Sequence, residues 1–484
     1  MSDRSSLLTP PPSAASVPAP DGAAVVGSIR HRTLPGARAR TPEASAEGRT
    51  SLFTIDPWLT TWALLLGIAA IVYVALSIRA FHFVLHASHA HPWSRLIARP
   101  SVLWASMGLL LIAFRTVQWF RYRPVAPAGP AAAPPLTVII PAYNEGAMVE
   151  RTVESVATAL YPKERLEIIV VDDGSTDNTW RYIDRAARRF PELVTPVRFE
   201  KNRGKRAALS EGFRRGRGEL FVTIDSDSVI EPQTLLALAG PFADPRVGAV
   251  AGKVAVYNRG HGVIPKMLHV RYILSFDFLR AVQSTYGTVY CCPGALTAYR
   301  ASVVRRVLDA WLGQTFLGAR CTYGEDRSMT NFILSQGFDT VYQRNAVVHT
   351  VVPRTYGKLC KMFLRWDRSY IREELRFARI VWTRPIRSRL IALIDALITN
   401  LRYPVGYSCL GMLTVFTMDD PKTLLRVLIM MGMMSLLNMV YYLRSERSWN
   451  FLFGVLYTYF SWFALFWIFP YALLTVRARS WLTR

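Results

Sequence analysis

Three acidic groups stand just past short apolar runs in this 484-residue chain. "PAYNEG" places Tyr143 and Glu145 after "LTVII", "VDDGSTDNT" places Asp172 and Asp173 after "LEIIV", and "TIDSDSV" places Asp225 and Asp227 after "ELFV". An Asp-x-Asp pair suits a hard divalent cation, because magnesium is held by one or two carboxylates together with waters and substrate phosphate oxygens. Neighbouring carboxylates also repel each other, and a cation between them relieves that repulsion. Between the two Asp pairs lies "KNRGKRAAL". Gly204 lets the backbone approach a ligand, the following helix start offers free N–H groups, and Lys205 and Arg206 add positive charge. Together they describe a diphosphate site, against the plainer reading of a solvated basic helix face.

Further on, "TYGEDRSMTNFIL" sets Asp326 at the start of a helix-like run. An acid there serves as a cap or dipole partner, or as a general base accepting the proton of an attacking hydroxyl. "YCCPGALTAYR", with Cys292 in it, combines small residues with a Pro-Gly turn and permits close approach of a ligand to the backbone. "KLCKMFLRWDRSYIREE", Lys358 to Glu374, mixes aromatics with arginines. It reads either as a basic amphipathic helix on a membrane surface or as part of an active site at that surface.

The elements that must carry these residues follow from periodicity. "LTVIIP", "LEIIVV", "LVTPVRF" and "ELFVTID" are short runs rich in β-branched residues. Helix-like stretches alternate with them: "EGAMVERTVESVATAL", "TDNTWRYIDRAARRF" and "GKRAALSEGFRRG". Alternating strands and helices predict βαβ units in a mostly parallel sheet buried on both faces. Ligands of such sheets bind beyond the carboxyl ends of the strands, where the acidic residues fall.

Composition sets the surroundings. Hydrophobic residues make up 51% of the chain and charged residues 19%, so membrane spans are expected. The net charge is +24, yet no nucleic-acid-binding motif accompanies it, and much of the arginine flanks apolar segments. That pattern fits a face toward anionic lipid and a phosphorylated substrate, with no nucleic acid. Five cysteines without a C-x-x-C spacing argue against a disulfide framework or zinc site and suit a reducing compartment.

Residues 1–52, rich in Pro, Ala, Ser and Arg, read as a disordered basic cytoplasmic tail without the marks of a signal peptide. Two spans are expected within 53–123, over Pro57–Ile78 and Ser101–Phe120, with Arg115 snorkelling at the end of the second. His82, His86, His89 and His91 between them read as a polar surface loop rather than a metal site. A Pro/Ala linker at 124–135 precedes the α/β domain, 136–350, and interface helices carrying the Arg-Trp pair fill 351–386. In 387–484, Leu390–Met418 and Val427–Leu443 read as spans, and Ser448–Val476 as an interfacial or re-entrant segment. That count keeps the catalytic domain and the basic end cytoplasmic in a multi-pass cell-membrane protein.

In order, "IIPAYNEG", "VDDGSTDNT", "KNRGKRAAL", "IDSDS", "CCPGALTAYR", "TYGEDRSMTNFIL" and "FLRWDRSYIRE" resemble processive family 2 glycosyltransferases. The branch they resemble holds hyaluronan synthases, chitin synthases and nodulation-factor chitin-oligosaccharide synthases. The resemblance covers roughly Leu136 to Ile380, and more loosely the remainder of the chain. It implies an α/β GT-A domain inserted between transmembrane helices, a UDP-sugar donor, a growing polysaccharide acceptor and a Mg2+ or Mn2+ ion.

Tyr143 and Glu145 would then lie at the donor. Asp172 and Asp173 would hold the uridine, Lys205 the diphosphate, and Asp225 the nucleotide with Asp227 on its metal. Asp326 would be the general base. Arg365 and Trp366 match the Arg-Trp of a Gln-x-x-Arg-Trp signature, with Arg365 closing the donor site and Trp366 and Cys292 at the acceptor. The signature's Gln position holds Met362, which lacks the amide's donors and acceptor. The resemblance favours UDP-N-acetylglucosamine and leaves open a chitin-type, hyaluronan or other β-linked product such as cellulose. The early motifs are shared with single-transfer enzymes acting on polyprenyl phosphates.

Overall fold

The computed structural model describes residues 110–478. The tail at 1–52, the span at Pro57–Ile78, the start of the second span, the four histidines, and Arg479 and Arg484 lie outside the described residues.

The strands are β1 (Leu136–Ala142), β2 (Leu166–Asp172), β3 (Val194–Arg198), β4 (Leu220–Ile224), β5 (Ser228–Ile230), β6 (Val247–Val256), β7 (Leu296–Arg300) and, after a two-stranded ribbon, β10 (Asp339–Thr350). The ribbon is β8 (Thr315–Phe316) with β9 (Ala319–Arg320). The main sheet has the order β3-β2-β1-β4-β7-β6-β10-β5. Every residue of β1 is buried, as expected of a β-branched strand covered on both faces. Helices α1 (Met148–Ala157), α2 (Thr179–Arg189), α3 (Lys205–Arg215) and α4 (Thr234–Ala239) follow strands β1, β2, β3 and β5.

The expected parallel sheet holds through β3-β2-β1-β4. Beyond β4 it becomes mixed: β7 runs antiparallel to both β4 and β6, and β5 antiparallel to β10. The reversal of β7 brings its first residue, Leu296, opposite Ile224 at the end of β4. The loop "CCPGA" is thereby carried to the same rim as the ends of β1, β2 and β4. Because β10 runs parallel to β6, its last residue, Thr350, reaches that rim too. The rim opens between β1 and β4, where strand order reverses. There β1 pairs with β2 as far as Ala142 but with β4 only to Ile139, two residues short of Pro141, which has no N–H to give.

After β6 come α5 (Val263–Tyr272), a π-helical turn at Ile273–Phe278 and α6 (Leu279–Ser284). Around β7 and the ribbon lie α7 (Ala301–Leu312) and α8 (Glu325–Ser335). After β10 the chain is helical: α9 (Tyr356–Ile380), α10 (Ile386–Asp419), α11 (Lys422–Glu446), α12 (Phe451–Ala464) and α13 (Ile468–Leu474).

Among the described residues, α11 alone is one helix long and apolar enough to cross a membrane. The pair α12 and α13 meets the same requirement together but bends by 48°, the form of a broken span or a re-entrant loop. The span expected over Leu390–Met418 is present as the continuous 34-residue α10, yet it does not meet that requirement. Its first half carries Arg387, Arg389, Asp395 and Arg402, and its second half is diluted by Pro404, Gly406, Tyr407 and Ser408. Asp395 is not left bare: it pairs at 2.7 Å with Arg115 of the helical segment at 110–121.

Candidate active site

The rim of the sheet and the α8–α9–α10 face enclose a cavity of about 410 Å³. Lys205, Asp225, Asp227, Asp326, Arg365 and Trp366 all line it. Residues drawn from four separate stretches of sequence therefore share one space.

The loop after β2 is built first, because it fixes α3. Asp172 is fully buried, and its Oδ1 accepts the backbone N–H of Ser175 at 3.0 Å. Asp173 accepts the N–H of Arg203 at 2.7 Å and that of Gly204 at 2.9 Å, one on each oxygen. Gly174, at φ +70°, lies against the same segment; a Cβ there would sit 2.5 Å from the carbonyl carbon of Lys201. This brace sets the start of α3, so that Lys205 at its first turn reaches the cavity. Burial raises the Asp173 carboxyl above its ordinary range, against the lowering effect of its two N–H donors.

The loop after β1 is tied to the loop after β2 rather than to the cavity. Asn144 donates its N–H to Ser175 and accepts from Thr176, and the N–H groups of Glu145 and Gly146 both donate to Thr179 Oγ1. Tyr143, Glu145, Asp172 and Asp173 do not line the cavity. They form a second group of expected residues at the same sheet rim, beside α3.

Lys205 is the electrostatic centre of the cavity. Its Nζ lies 2.5 Å from Asp225 Oδ1 and 3.0 Å from Glu325 Oε1. Burial works against its charge, but the adjoining carboxylates hold the ammonium well above its usual range. Burial likewise opposes the charge of Glu325, and Lys205 overcomes it, taking the carboxyl down to about 2. Asp326, next in sequence, goes the other way: burial first, then the Glu325 carboxylate, raise it. One Asp326 oxygen accepts the N–H of Gly294 at 3.2 Å and the other accepts the N–H of Arg327 at 2.7 Å. Gly294 has no Cβ to spare: one would stand 3.1 Å from Lys205 Nζ. The Pro-Gly turn thus closes over the reactive cluster, and it is antiparallel β7 that delivers it.

Asp227 Oδ1 accepts from the hydroxyls of Ser228 and Thr350, each at 3.2 Å. Among the described residues no group of three or more His, Cys, Asp or Glu side chains is placed to hold a metal. The Asp225–Asp227 pair still fits a magnesium-like ion, whose remaining positions are filled by water and phosphate oxygens.

Helix α9 brings Arg365 and Trp366 over the cavity. Buried Glu373 holds α9 to α8 by accepting from Asn331 at 3.0 Å, and to the turn before β8 by accepting from Gln314 at 2.7 Å. Arg327 and Glu374 pair across the same interface at 2.6 Å. Trp366 stands edge-on to Phe363 and within 6.3 Å of Tyr272, centroid to centroid. Met362, at the signature's Gln position, is buried among Leu359, Phe363 and Leu364 while touching the cavity wall.

Cys292 was expected at the acceptor, but it is fully buried. Its neighbour Cys291 lines the cavity instead, with Sγ 3.8 Å from Asp326 Oδ2 and its thiol pushed up to about 11 by burial and the Asp326 charge. Of two adjacent cysteines one faces the cavity and the other the core, and sequence does not say which. Sequence reasoning also passed over Glu325, Arg271, Asp367, Tyr370 and Tyr403, all of which line the cavity. The adjacency of Glu325 to Asp326 was the one available sign; the others lie on helix faces whose partners are distant in sequence.

The mixed sheet, with carboxylates at its rim, Lys205 at a facing helix start and Asp326 across the cavity, is a GT-A glycosyltransferase fold. The chain belongs to the glycosyltransferases of family 2. The model of "Glycosyl transferase family 2" matches residues 137–308. An N-acetylglucosaminyltransferase of Azorhizobium caulinodans is 31% identical over 357 residues, covering 72% of this chain and 87% of that protein. One from Rhizobium meliloti is 36% identical over 275 residues, covering 55% of this chain and 64% of that protein. A hyaluronan synthase of Streptococcus pyogenes is 32% identical over 287 residues, covering 58% of this chain and 67% of that protein. These relatives fall in the branch that the ordered motifs resemble, and the protein is an enzyme that transfers sugars.

Proposed function

We propose that this protein is a membrane-embedded, processive, inverting β-glycosyltransferase that polymerises N-acetylglucosamine from UDP-N-acetylglucosamine and passes the chain out between its helices. The observation that carries the reading is the single cavity joining Lys205, Asp225 and Asp227 to Asp326, Arg365 and Trp366. Donor-side and acceptor-side groups meet there. The names of the relatives support N-acetylglucosamine as the sugar. The apolar helices α11 and α12–α13, and the extension of the cavity to Arg115, Asp395 and Arg402, support membrane embedding with an exit path.

The acceptor hydroxyl oxygen attacks the anomeric carbon while the bond from that carbon to the UDP oxygen breaks. UDP leaves with the electron pair, and Asp326 takes the hydroxyl proton. Its raised carboxyl is a stronger base than a solvated aspartate. One displacement turns an α-linked donor into a β-linked product. Lys205 and the start of α3 stabilise the charge growing on the departing diphosphate, and Arg365 closes over it. Asp227, with Asp225, would hold the Mg2+ or Mn2+ ion, which when bound supplies further neutralisation of that diphosphate. Trp366, with Cys291 beside Asp326, forms the acceptor side. Asp172 and Asp173 serve the donor by holding the loop that faces the uridine and by bracing Lys205; Tyr143 and Glu145 stand next to that loop.

The test is incubation of membranes holding the full chain with each labelled UDP-sugar, singly and in pairs. A chitinase-sensitive polymer from UDP-N-acetylglucosamine alone is expected. A hyaluronidase-sensitive polymer made only with UDP-glucuronic acid present would overturn the homopolymer reading. A single sugar on a polyprenyl phosphate would overturn processive synthesis.

A further inference from the structure

The turn that leads into α8 carries Asp326, and it is held from two directions. From the first, Arg372 of α9 donates to the carbonyl of Tyr323 at 2.6 Å, and the Trp311 indole donates to the carbonyl of Glu325 at 3.1 Å. Gly324 lies so close to α9 that a Cβ on it would overlap the hydroxyl of Ser369. The second hold comes from beyond α13. The Tyr323 hydroxyl donates to the carbonyl of Ala478 at 2.8 Å, across 155 residues of sequence. Tyr323 is buried, where a polar group that loses its partner is costly.

Residues 475–478 follow α13, the shorter arm of the bent apolar pair. Arg368 of α9, itself buried, donates to Thr475 Oγ1 from two nitrogens, Nε at 3.1 Å and Nη2 at 2.9 Å. Arg368 stands one helical turn before Arg372, so one stripe of α9 grips both this segment and the turn at Tyr323. Helix α13 also bears on the cavity: the ring of Phe469 stacks on that of Tyr403 with centroids 3.7 Å apart, and Tyr403 lines the cavity. One short stretch of chain therefore touches the cavity wall, the face of α9 and the turn that carries Asp326. Asp326 lies three residues beyond Tyr323. A general base works only within hydrogen-bond reach of the proton it takes, so a small displacement of that turn costs rate.

We propose that Tyr323 is a positioning residue for Asp326, and that residues 475–478 are the strap that holds it in place. The inference rests on the reading of Asp326 as the general base. It goes beyond that reading by giving the segment after the bent apolar pair a share in setting the rate.

The test uses full-length protein in membranes with labelled UDP-N-acetylglucosamine and an N-acetylglucosamine oligosaccharide, and counts folded sites by UDP binding. Tyr323→Phe removes only the hydroxyl. Its kcat per site should fall about tenfold, the scale of one hydrogen bond that holds a reacting group, while KM for the donor stays within about twofold. Burial raises the Asp326 carboxyl, so a loosened turn that admits water should move the acidic limb of the kcat profile to lower pH. Thr475→Val should reproduce both changes, and Thr475→Ser, which keeps the hydroxyl, should behave as wild type. An unmoved kcat in Tyr323→Phe, a lower kcat with an unmoved acidic limb, or a Thr475→Ser as slow as Thr475→Val overturns the inference while leaving glycosyl transfer standing. Turnover by Asp326→Asn near the wild-type level overturns the underlying reading and this inference with it.

Discussion

Lys205 Nζ stands 2.5 Å from Asp225 Oδ1 and holds Glu325 on its other side at 3.0 Å. One ammonium therefore links the end of β4 to the start of α8. Lys205→Met should leave both acids unpaired in a mostly buried wall. Loss of activity of about 10²- to 10³-fold is expected, the scale for removing one electrostatic donor to a developing charge. The melting temperature should fall as well. Initial-rate kinetics and thermal unfolding of the detergent-solubilised protein check both. The Glu325 contribution to stability has a defined pH window: with its folded carboxyl depressed to about 2, it is fully present above the unfolded value near 4.5 and is lost as pH falls toward 2.

As the proposed base Asp326 acts on the acceptor hydroxyl, so Asp326→Asn should abolish transfer and leave UDP affinity within about twofold. Equilibrium binding of UDP and single-turnover transfer separate the two effects. Turnover near the wild-type level would mean that another group takes the proton. In wild type the base must be ionised, so the rate should fall as pH drops through the raised Asp326 value, above the range of an ordinary aspartate.

Gly174→Ala should weaken UDP binding by about tenfold or more. The glycine takes φ +70°, and a Cβ would lie 2.5 Å from backbone of Lys201, so the brace from Asp173 to Arg203 and Gly204 must shift. Isothermal titration with UDP is the measurement; unchanged affinity would show that the brace is not needed to place α3.

Met362→Gln restores the residue of the family signature, but Met362 is buried in an apolar cluster. An amide left without partners there costs about 1–3 kcal/mol. A lower melting temperature and no longer product are expected. Longer polymer on a gel would show that the amide finds partners and that methionine limits closure over the donor.

The acidic residues at the ends of β1, β2 and β4 were legible in the sequence, because β-branched runs mark the strands and strand ends mark ligand sites. So were Lys205 at a helix start and the family itself, since both depend on local order of residue types. The sequence by itself therefore determined the α/β frame, the family and the place of Asp326 at the start of α8. Tertiary structure decided what meets that acid. The reversal of β7 is a pairing between segments more than 70 residues apart, and it alone sets Gly294 over Lys205 and Asp326. It also decided that Cys291 rather than Cys292 lines the cavity. Local propensity acts over a few neighbours, whereas a side chain's partners come from whichever distant element packs against it, and no short-range pattern encodes that choice.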